Sequence, residues 1–410
     1  MWFRTALFCF VAVAAVAVAF AIGPYVPGAV ADKFGGDATD QILTLLSSSM
    51  LVITTFSLGT MVSAHNSAAS NATPRAAPLL VEDNYAQNAL STFVGVFVYS
   101  VISLVALDAG VYGGGERTVL FGVTASVLVI VVITLIRWID ELTQLGQMHD
   151  TLSMIESATV AAIDSQIQSP CSCGISFEGL PTGLDVPAGE VGYIQTIDFE
   201  AIDQIVGNTS ARVYLQCQPG TFTHRHKPLC RIVGVTDEQA RGMQEPILNA
   251  FVLGPRRTML QDPRYGMLIL SEVAARALSP GVNDPATAID VIVVGMRTID
   301  HWDQQWTAAR QPDAPGKAVH YGWLYSNPID MTELLRSCYD AIIRYGAGQY
   351  PVMARLLRAL QAVRALNHDY DIPAQDMARH AMERARVGVE DKRELRALEN
   401  DYVKLFGEPK

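Results

Sequence analysis

The first third of the chain contains four long segments without a single charged side chain. They cover residues 5–22, 41–64, 88–107 and 118–136, and Asp, Glu, Lys and Arg are absent from each of them. A helix crosses the hydrocarbon core with about 20 apolar residues, and it must pair its own backbone groups because no water is present there. We therefore predict four transmembrane helices, with the lipid bilayer as a partner.

The rest of the chain is much more polar. The 410 residues are 50% hydrophobic and 17% charged, against roughly 25% charged residues in a typical soluble domain. The charged residues are therefore concentrated after the apolar segments. Together with the strand and helix signals described below, this distribution predicts a helical membrane domain followed by an α+β soluble domain with a small β-rich subdomain and a helical remainder. The predicted boundaries are 1–139 for the membrane domain, 140–168 for a connecting helix, 169–235 for the β-rich subdomain and 236–410 for the helical subdomain.

The first apolar segment has two interpretations. Arg4 before an apolar run and the small residues of Ala29-Val30-Ala31 are typical of a cleaved signal peptide. The run over residues 6–22 is longer than the usual apolar region of about 7–15 residues, which favours a retained helix. The orientation of the later helices is the same in both cases.

The few cations near the segments predict the orientation. Arg4, Arg75 and Arg137 fall on one side, whereas Lys33 and Arg117 fall on the other among acidic residues. Because cytoplasmic loops carry an excess of Lys and Arg, we predict a multi-pass protein of the cell inner (plasma) membrane with both termini in the cytoplasm.

The second segment carries a stripe of small and hydroxylated residues at helical spacing: Thr44, Ser48, Thr55, Gly59 and Ser63. Small residues let helix backbones approach closely, so the stripe fits helix packing, including packing in a homo-oligomer. The same residues fit the polar lining of a pore formed by several subunits. The polar loop over residues 65–87, which contains Thr73-Pro74-Arg75, is predicted to be a cytoplasmic connector that docks on the C-terminal domain.

The soluble part combines strand, turn and helix signals. These predict a helix from Asp140 to Gln168, a loop from Ser169 to Gly189, strands at Gly192–Ile197 and Arg212–Cys217 around a helix at Phe199–Val206, a turn at Gln218-Pro219-Gly220, and a further strand that ends near Val233. Thr236 and Gln239 form a capping-box pattern, and Asp262 to Leu278 has apolar residues at helical spacing.

The segment from Arg276 to Ala288, ALSPGVNDPATA after the arginine, makes the sequence recognisable. Together with Thr73-Pro74-Arg75, residues 192–198 (GYIQTID) and residues 343–347 (IRYGA), it resembles an uncharacterised bacterial family of predicted membrane proteins, domain of unknown function 2254. The resemblance implies four membrane helices and a C-terminal soluble domain. It brings no known activity and no catalytic residues, and residues 221–224 depart from the family's more apolar, glycine-containing hairpin.

The turn between the helices of this segment is a candidate anion or ligand pocket. A helix N-terminus offers free backbone donors to an anion, and the candidate residues are Arg256, Arg257, Arg276, Ser279, Asn283 and Asp284. In the alternative interpretation, Asp284 itself caps these donors and leaves none for a ligand.

A zinc site is a weaker candidate. Cys171, Cys173, Cys217 and Cys230, with His224 and His226, supply zinc-binding atoms. Their spacing matches no standard zinc motif, so we predict reduced thiols, no metal and no cofactor.

The sequence leaves two functions open. It contains no recognised catalytic motif, and the net charge of −11 gives no reason to expect nucleic acid as a partner. The first function is an oligomeric conduit for ions or small solutes, gated by a cytoplasmic domain. The alternative is a membrane-anchored sensor or scaffold that binds a small molecule, an anionic ligand or a protein partner without transport.

Overall fold

The computed structural model describes residues 38–71, 73–76, 84–110, 112–144, 148–169, 174–309 and 321–407, with isolated positions between 6 and 25. The first predicted membrane helix, residues 5–22, therefore lies largely outside the described residues. The chain divides into two compact units. One unit combines Met1–Ser70 with Ala77–Asp150, and the other combines Asn71–Ala76 with Thr151–Lys410.

Three helices of the first unit are long and apolar enough to cross a membrane, within the described residues. They are α1 (Ala38–Asn71), α2 (Asn84–Asp108) and α3 (Gly114–Gln144), with candidate spans Ala38–Ser63, Gln87–Asp108 and Gly114–Asp140. These spans confirm the second, third and fourth predicted membrane segments.

Helices α2 and α3 pack along apolar faces in the membrane unit. Phe93 and Leu120 are fully buried there, and the Tyr99 hydroxyl lies 3.0 Å from the Thr124 hydroxyl oxygen. Such bonds between hydroxyls satisfy polar groups that hydrocarbon cannot. Gly110, with φ of +68°, follows the end of α2, where a side chain would be strained.

The second unit alternates short strands with helices before a helical remainder. Its helices are α4 (Met148–Gln168, from Thr151 in this unit), α5 (Phe199–Val206), α6 (Asp237–Asn249), α7 (Pro263–Ala277), α8 (Pro285–Ala309), α9 (Met331–Gly346), α10 (Tyr350–Leu366), α11 (Asp371–Gly388) and α12 (Lys392–Phe406). Its strands are β1 (Leu184–Pro187), β2 (Gly192–Ile197), β3 (Arg212–Leu215), β4 (Phe222–Thr223), β5 (Pro228–Val233), β6 (Phe251–Gly254) and β7 (Leu324–Tyr325).

The strands form two small sheets within the described residues. One has the order β1-β5-β3-β7, with β3 and β7 parallel and the other pairs antiparallel, and the other has the antiparallel order β4-β2-β6. Side chains of both sheets, α5 and α6 form one apolar core, in which Ile194, Ile202 and Val213 are fully buried. The soluble region is therefore α+β, with small sheets.

Several predicted elements are confirmed. Strand β2 and helix α5 have the predicted bounds, and the capping box at Thr236 and Gln239 is formed on both sides. The predicted loop over residues 169–189 is wrong in part, because it contains β1. Proline is tolerated at a sheet edge, and β1 is an edge strand whose register shifts between Val186 and Pro187.

Helix α4 packs on the pair α7 and α8. Arg297 of α8 donates to both carboxylate oxygens of Glu156, at 2.7 and 2.5 Å, and His301 Nε2 lies 2.7 Å from Asp164 Oδ1. A Cβ on Gly266 of α7 would overlap the Thr159 side chain. The glycine therefore allows α4 and α7 to approach closely.

Candidate functional site

A cleft of about 440 Å³ opens beside the first turn of α9. Its walls come from the segment before β1, the turn between β3 and β4, α7, and the chain that follows β7. The lining residues are Phe177, Leu180, Leu215, Gln216, Gln218, Thr221, Arg264, Asn327, Pro328, Asp330 and Glu333. The volume lies within the roughly 300–1,000 Å³ of typical small-ligand sites.

A cluster of charges around the buried Asp262 lies at the cleft. The Asp262 side chain is only 1% exposed and accepts bonds from Arg257 at 3.1 and 2.5 Å and from Arg264 at 3.0 Å. Arg264 also donates to Glu333 at 2.6 Å and to the Pro219 carbonyl at 2.7 Å. Burial opposes the charge on Arg264, but Asp262 and Glu333 outweigh it and raise the pKa of the guanidinium, which therefore stays charged.

Local sequence places Asp262 at this point. Pro263 begins α7 with a residue that lacks the donor a first-turn position does not need. The Asp262 side chain does not cap α7 and is free to bind the arginines. Gly220 provides the space, because a Cβ there would overlap the carboxylate. Its φ of +83° is strained for other residues. The predicted turn at Gln218-Pro219-Gly220 is confirmed, and its glycine makes room for the Asp262 carboxylate.

Reciprocal hydrogen bonds join two lining residues of the cleft, Phe177 and Asn327. The Phe177 amide donates to the Asn327 side-chain oxygen at 3.1 Å, and the Asn327 side-chain nitrogen donates to the Phe177 carbonyl at 3.2 Å. The Phe177 ring packs edge-on against Tyr214, with centroids 5.2 Å apart. These lining residues are therefore held in place before any ligand arrives.

The turn that follows α1 docks on α7 inside the second unit. Thr73-Pro74-Arg75-Ala76 forms a β-turn with a 3.0 Å bond from the Ala76 amide to the Thr73 carbonyl, and proline suits its second position. The Thr73 hydroxyl donates to Glu272 at 3.1 Å, and Arg75 forms an ion pair with the same carboxylate. The predicted docking of this loop on the C-terminal domain is thereby confirmed.

The predicted helix-end pocket is occupied by a side chain of the chain itself. Asp284 accepts from the amides of Ala286 and Thr287 at 3.1 and 3.2 Å and from the Thr287 hydroxyl at 2.6 Å. These bonds lower the pKa of Asp284, and the bond from the Thr287 hydroxyl has the largest effect. Asp284 therefore caps α8, which is the alternative interpretation given above.

The other residues of that candidate pocket have separate surroundings. Arg257 binds Asp262, whereas the carbonyl of Arg256 accepts from Gln195 at 2.9 Å. Arg276 lies in the last turn of α7, and its carbonyl accepts from the Ser279 hydroxyl at 2.6 Å.

Two of the segments that carry the family resemblance meet just after α7. Asn283, with φ of +48°, accepts from the Gln349 side chain at 3.4 Å. A Cβ on Gly346 would come within 3.2 Å of Leu278. Gly346 therefore lies against the segment that begins at Arg276, and Thr73 and Arg75 contact Glu272 of α7.

The candidate zinc ligands are only partly described. Cys171 and Cys173 lie outside the described residues, whereas Cys217 and Cys230 are buried free thiols. Burial raises the pKa of both thiols. No group of three or more His, Cys, Asp or Glu side chains suited to a metal occurs among the residues that the structure describes.

The α1 stripe faces outward, with Thr44, Ser48, Thr55, Gly59 and Ser63 all exposed. The Ser48 and Thr55 hydroxyls donate to carbonyls of their own helix, at 2.9 Å to Thr44 and 3.1 Å to Leu51. Their hydrogen-bonding needs are therefore met without a neighbour.

Sequence reasoning missed Asp262, Arg264, Asp330 and Glu333. The available signal was the concentration of Arg256, Arg257 and Arg264 around one acidic residue, in a stretch where an isolated charge would be costly to bury. The contribution of α9 carried no local signal.

The comparisons agree with the sequence features. The family model described as "Predicted membrane protein (DUF2254)" matches residues 1–362. The chain is 25% identical over 362 residues to "Uncharacterized protein Rv1290c" of Mycobacterium tuberculosis and to "Uncharacterized protein Mb1321c" of Mycobacterium bovis, covering 83% of this chain and 67% of each relative. No solved structure matches. The match over most of its length, the apolar spans and the recognised segments place this chain in the DUF2254 family of predicted membrane proteins.

Proposed function

We propose that this membrane protein is an anchored sensor: the soluble unit binds a ligand in the cleft beside Arg264, and α7 transmits its presence to the turn that follows α1. The observation that carries the proposal is the placement of two contacts on one helix. Arg264 reaches the cleft, and Glu272 holds Thr73 and Arg75. Eight residues separate them, which is about 12 Å along an α-helix.

A rigid helix supports coupling between its ends. Helix α7 packs on α8 and α9, and Met267, Leu270 and Val273 on its inner face are fully buried. Close-packed interiors deform little and transmit displacement. A shift of Arg264 would therefore move Glu272 rather than be absorbed between them.

Hydrogen exchange at Ala76 tests this coupling in the full chain reconstituted in nanodiscs. Glu272→Gln removes the ion pair to Arg75 and should accelerate exchange of the Ala76 amide, whereas Glu383→Gln on the exposed face of α11 should not. Glu333→Gln removes the ion pair between α9 and Arg264, which lies at the cleft end of α7. It should also accelerate Ala76 exchange, by about fivefold for a coupling near 1 kcal/mol.

If Glu272→Gln loosens the turn and Glu333→Gln leaves it unchanged, the turn is only an anchor and the sensor proposal fails. The two substitutions together give a further check. In a coupled system their effects on Ala76 exchange are smaller in combination than the product of the single effects, because both act on the same contact.

The distribution of cations supports placing the soluble unit in the cytoplasm. Arg75 and Arg137 lie at the ends of membrane spans that lead to this unit, and cytoplasmic loops carry an excess of Lys and Arg. A protease added to spheroplasts should leave a C-terminal tag intact and remove it after the membrane is permeabilised. Cleavage in intact spheroplasts would reverse the assignment.

The outward-facing stripe on α1 supports a second candidate, an oligomeric conduit for ions or small solutes. A Cβ added to Gly59 would meet no atom of the described residues within 4 Å. A neighbouring copy of the protein therefore has room to approach this position. Liposome flux with purified protein tests this function. Gly59→Leu should reduce the flux, and Val62→Leu, at an exposed apolar position of the same helix, should not; absence of flux from the unmodified protein rejects the candidate.

A further inference from the structure

We infer that the cleft binds an organic cation, namely an amine or guanidinium carried on a short apolar stem. This inference rests on the proposed function, because it names the ligand class of the same cleft. It is carried by three features of the described residues: the sign of the charge, the supply of hydrogen-bond acceptors and the apolar wall.

The charges at the cleft favour a cation. Arg257 and Arg264 both pair with the Asp262 carboxylate, Arg264 also pairs with Glu333, and Asp330 adds a third carboxylate to the lining of the cleft. The carboxylates outnumber the guanidiniums. The two carboxylates that line the cleft itself belong to exposed residues, and the Glu333 side chain is 55% exposed. An incoming cation would therefore meet accessible negative charge, whereas an anion would have to displace Glu333 from Arg264.

The cleft also has acceptors that remain unused within the described part of the chain. Asp330 is the N-cap residue of α9, but its side chain makes no capping bond. Gln218 Oε1 is buried without a hydrogen-bond partner, whereas Gln218 Nε2 donates to the Asn327 carbonyl. Since a carbonyl can only accept, this contact fixes the amide orientation and leaves the oxygen as the free atom. A buried acceptor without a partner is costly, so a ligand N–H would relieve it.

Apolar side chains in the lining suit a hydrocarbon stem. They are Phe177, Leu180 and Leu215, and Leu180 is 41% exposed although it is apolar. Long cationic side chains and polyamines place methylene groups on such surfaces while the charged end reaches polar groups. The face of an aromatic ring such as Phe177 can also attract a cation directly.

A matched set of four-carbon probes tests the inference on the full chain in nanodiscs of zwitterionic lipid. Butylguanidinium and butylammonium carry the cationic end on a butyl stem, butanol is neutral, and butanoate is anionic. Calorimetric titration should give saturable binding for both cations and none for the other two probes at the same concentration. Equal binding of butanol or butanoate, or no binding of either cation, would overturn the inference.

Three substitutions locate the binding. Asp330→Asn keeps a side chain suited to the N-cap position and should weaken cation binding about tenfold. Phe177→Leu preserves an apolar wall without the ring, and it should weaken the guanidinium several-fold. Asp376→Asn, on the exposed surface of α11, should leave binding unchanged. If Asp330→Asn and Phe177→Leu both bind like the unmodified protein, the cations bind elsewhere and the cleft assignment is wrong.

The inference and the proposed function fail in different ways. If the cations bind but Ala76 exchange does not change, the ligand class stands and the sensor proposal falls. If butanoate, and not a cation, alters Ala76 exchange, the sensor proposal stands and the ligand class is wrong.

Discussion

Replacing Asp262 by Asn should strongly destabilise the soluble unit, because it leaves two partly buried guanidiniums without their shared, buried carboxylate. The amide keeps the shape of the side chain but lacks the charge, and its nitrogen cannot accept from either arginine. Asp262 now accepts bonds from Arg257 at 3.1 and 2.5 Å and from Arg264 at 3.0 Å, with only 1% of its side chain exposed.

Removing one partner of such a buried pair costs about 3–5 kcal/mol. In a unit of this size, each kcal/mol lowers the melting temperature by roughly 2–4 °C, so the expected decrease is roughly 6–20 °C. The measurement is tryptophan fluorescence during thermal unfolding of the full chain in nanodiscs. Trp302 and Trp323 are 2% and 8% exposed and report on the soluble unit.

Asp376→Asn is the matched control. Asp376 pairs with Arg379, and both side chains are more than half exposed, so its loss should cost about 0–1 kcal/mol. If Asp262→Asn and Asp376→Asn melt within error of each other, the cluster around Asp262 does not stabilise the fold as argued.

Gly220→Ala should destabilise far more than Gly189→Ala in the same melting assay, because both glycines have positive φ but only a Cβ at Gly220 would also overlap a carboxylate; equal effects would show that the overlap is relieved. Asp284→Ala should cost about 0.5–2 kcal/mol through loss of the α8 cap. Since the folded state lowers the pKa of Asp284, this difference should be constant between pH 6 and 8 and shrink as the pH falls below about 4. A difference that grows on acidification would contradict the cap. Cys230 and Cys338 are fully buried, and burial raises the pKa of each thiol, so both should resist iodoacetamide in the native protein and react on unfolding; mass spectrometry of digests distinguishes the two states.

Local signals predicted those parts of the structure whose stabilising contacts are local. The spans follow from the cost of burying charge in hydrocarbon, and the capping box depends only on Thr236 and Gln239, three residues apart. The first half of strand β2 alternates, with Ile194 buried between the more exposed Tyr193 and Gln195. In each case the residues that decide the structure lie within one element.

The missed features depend on distant partners. Strand β7 has only two residues, and it is a strand because Val213 and Tyr214 of β3 pair with it. The cleft likewise depends on Arg264 meeting Glu333, 69 residues later in the chain. Such meetings are products of the tertiary fold, and no short sequence window contains both partners.

The turn after α1 has a practical consequence for expression. A polypeptide that starts at Met148 would omit Thr73 and Ala76, both buried in the intact protein, although they belong to the same compact body as the C-terminal helices. In this fragment Glu272 would lose its partners Thr73 and Arg75, and the surface of α7 that they cover would be exposed to solvent. To express the soluble unit alone, residues 71–76 should therefore be attached to it through a flexible linker. The gain in yield or monodispersity over the fragment without them would measure how much these six residues stabilise the unit.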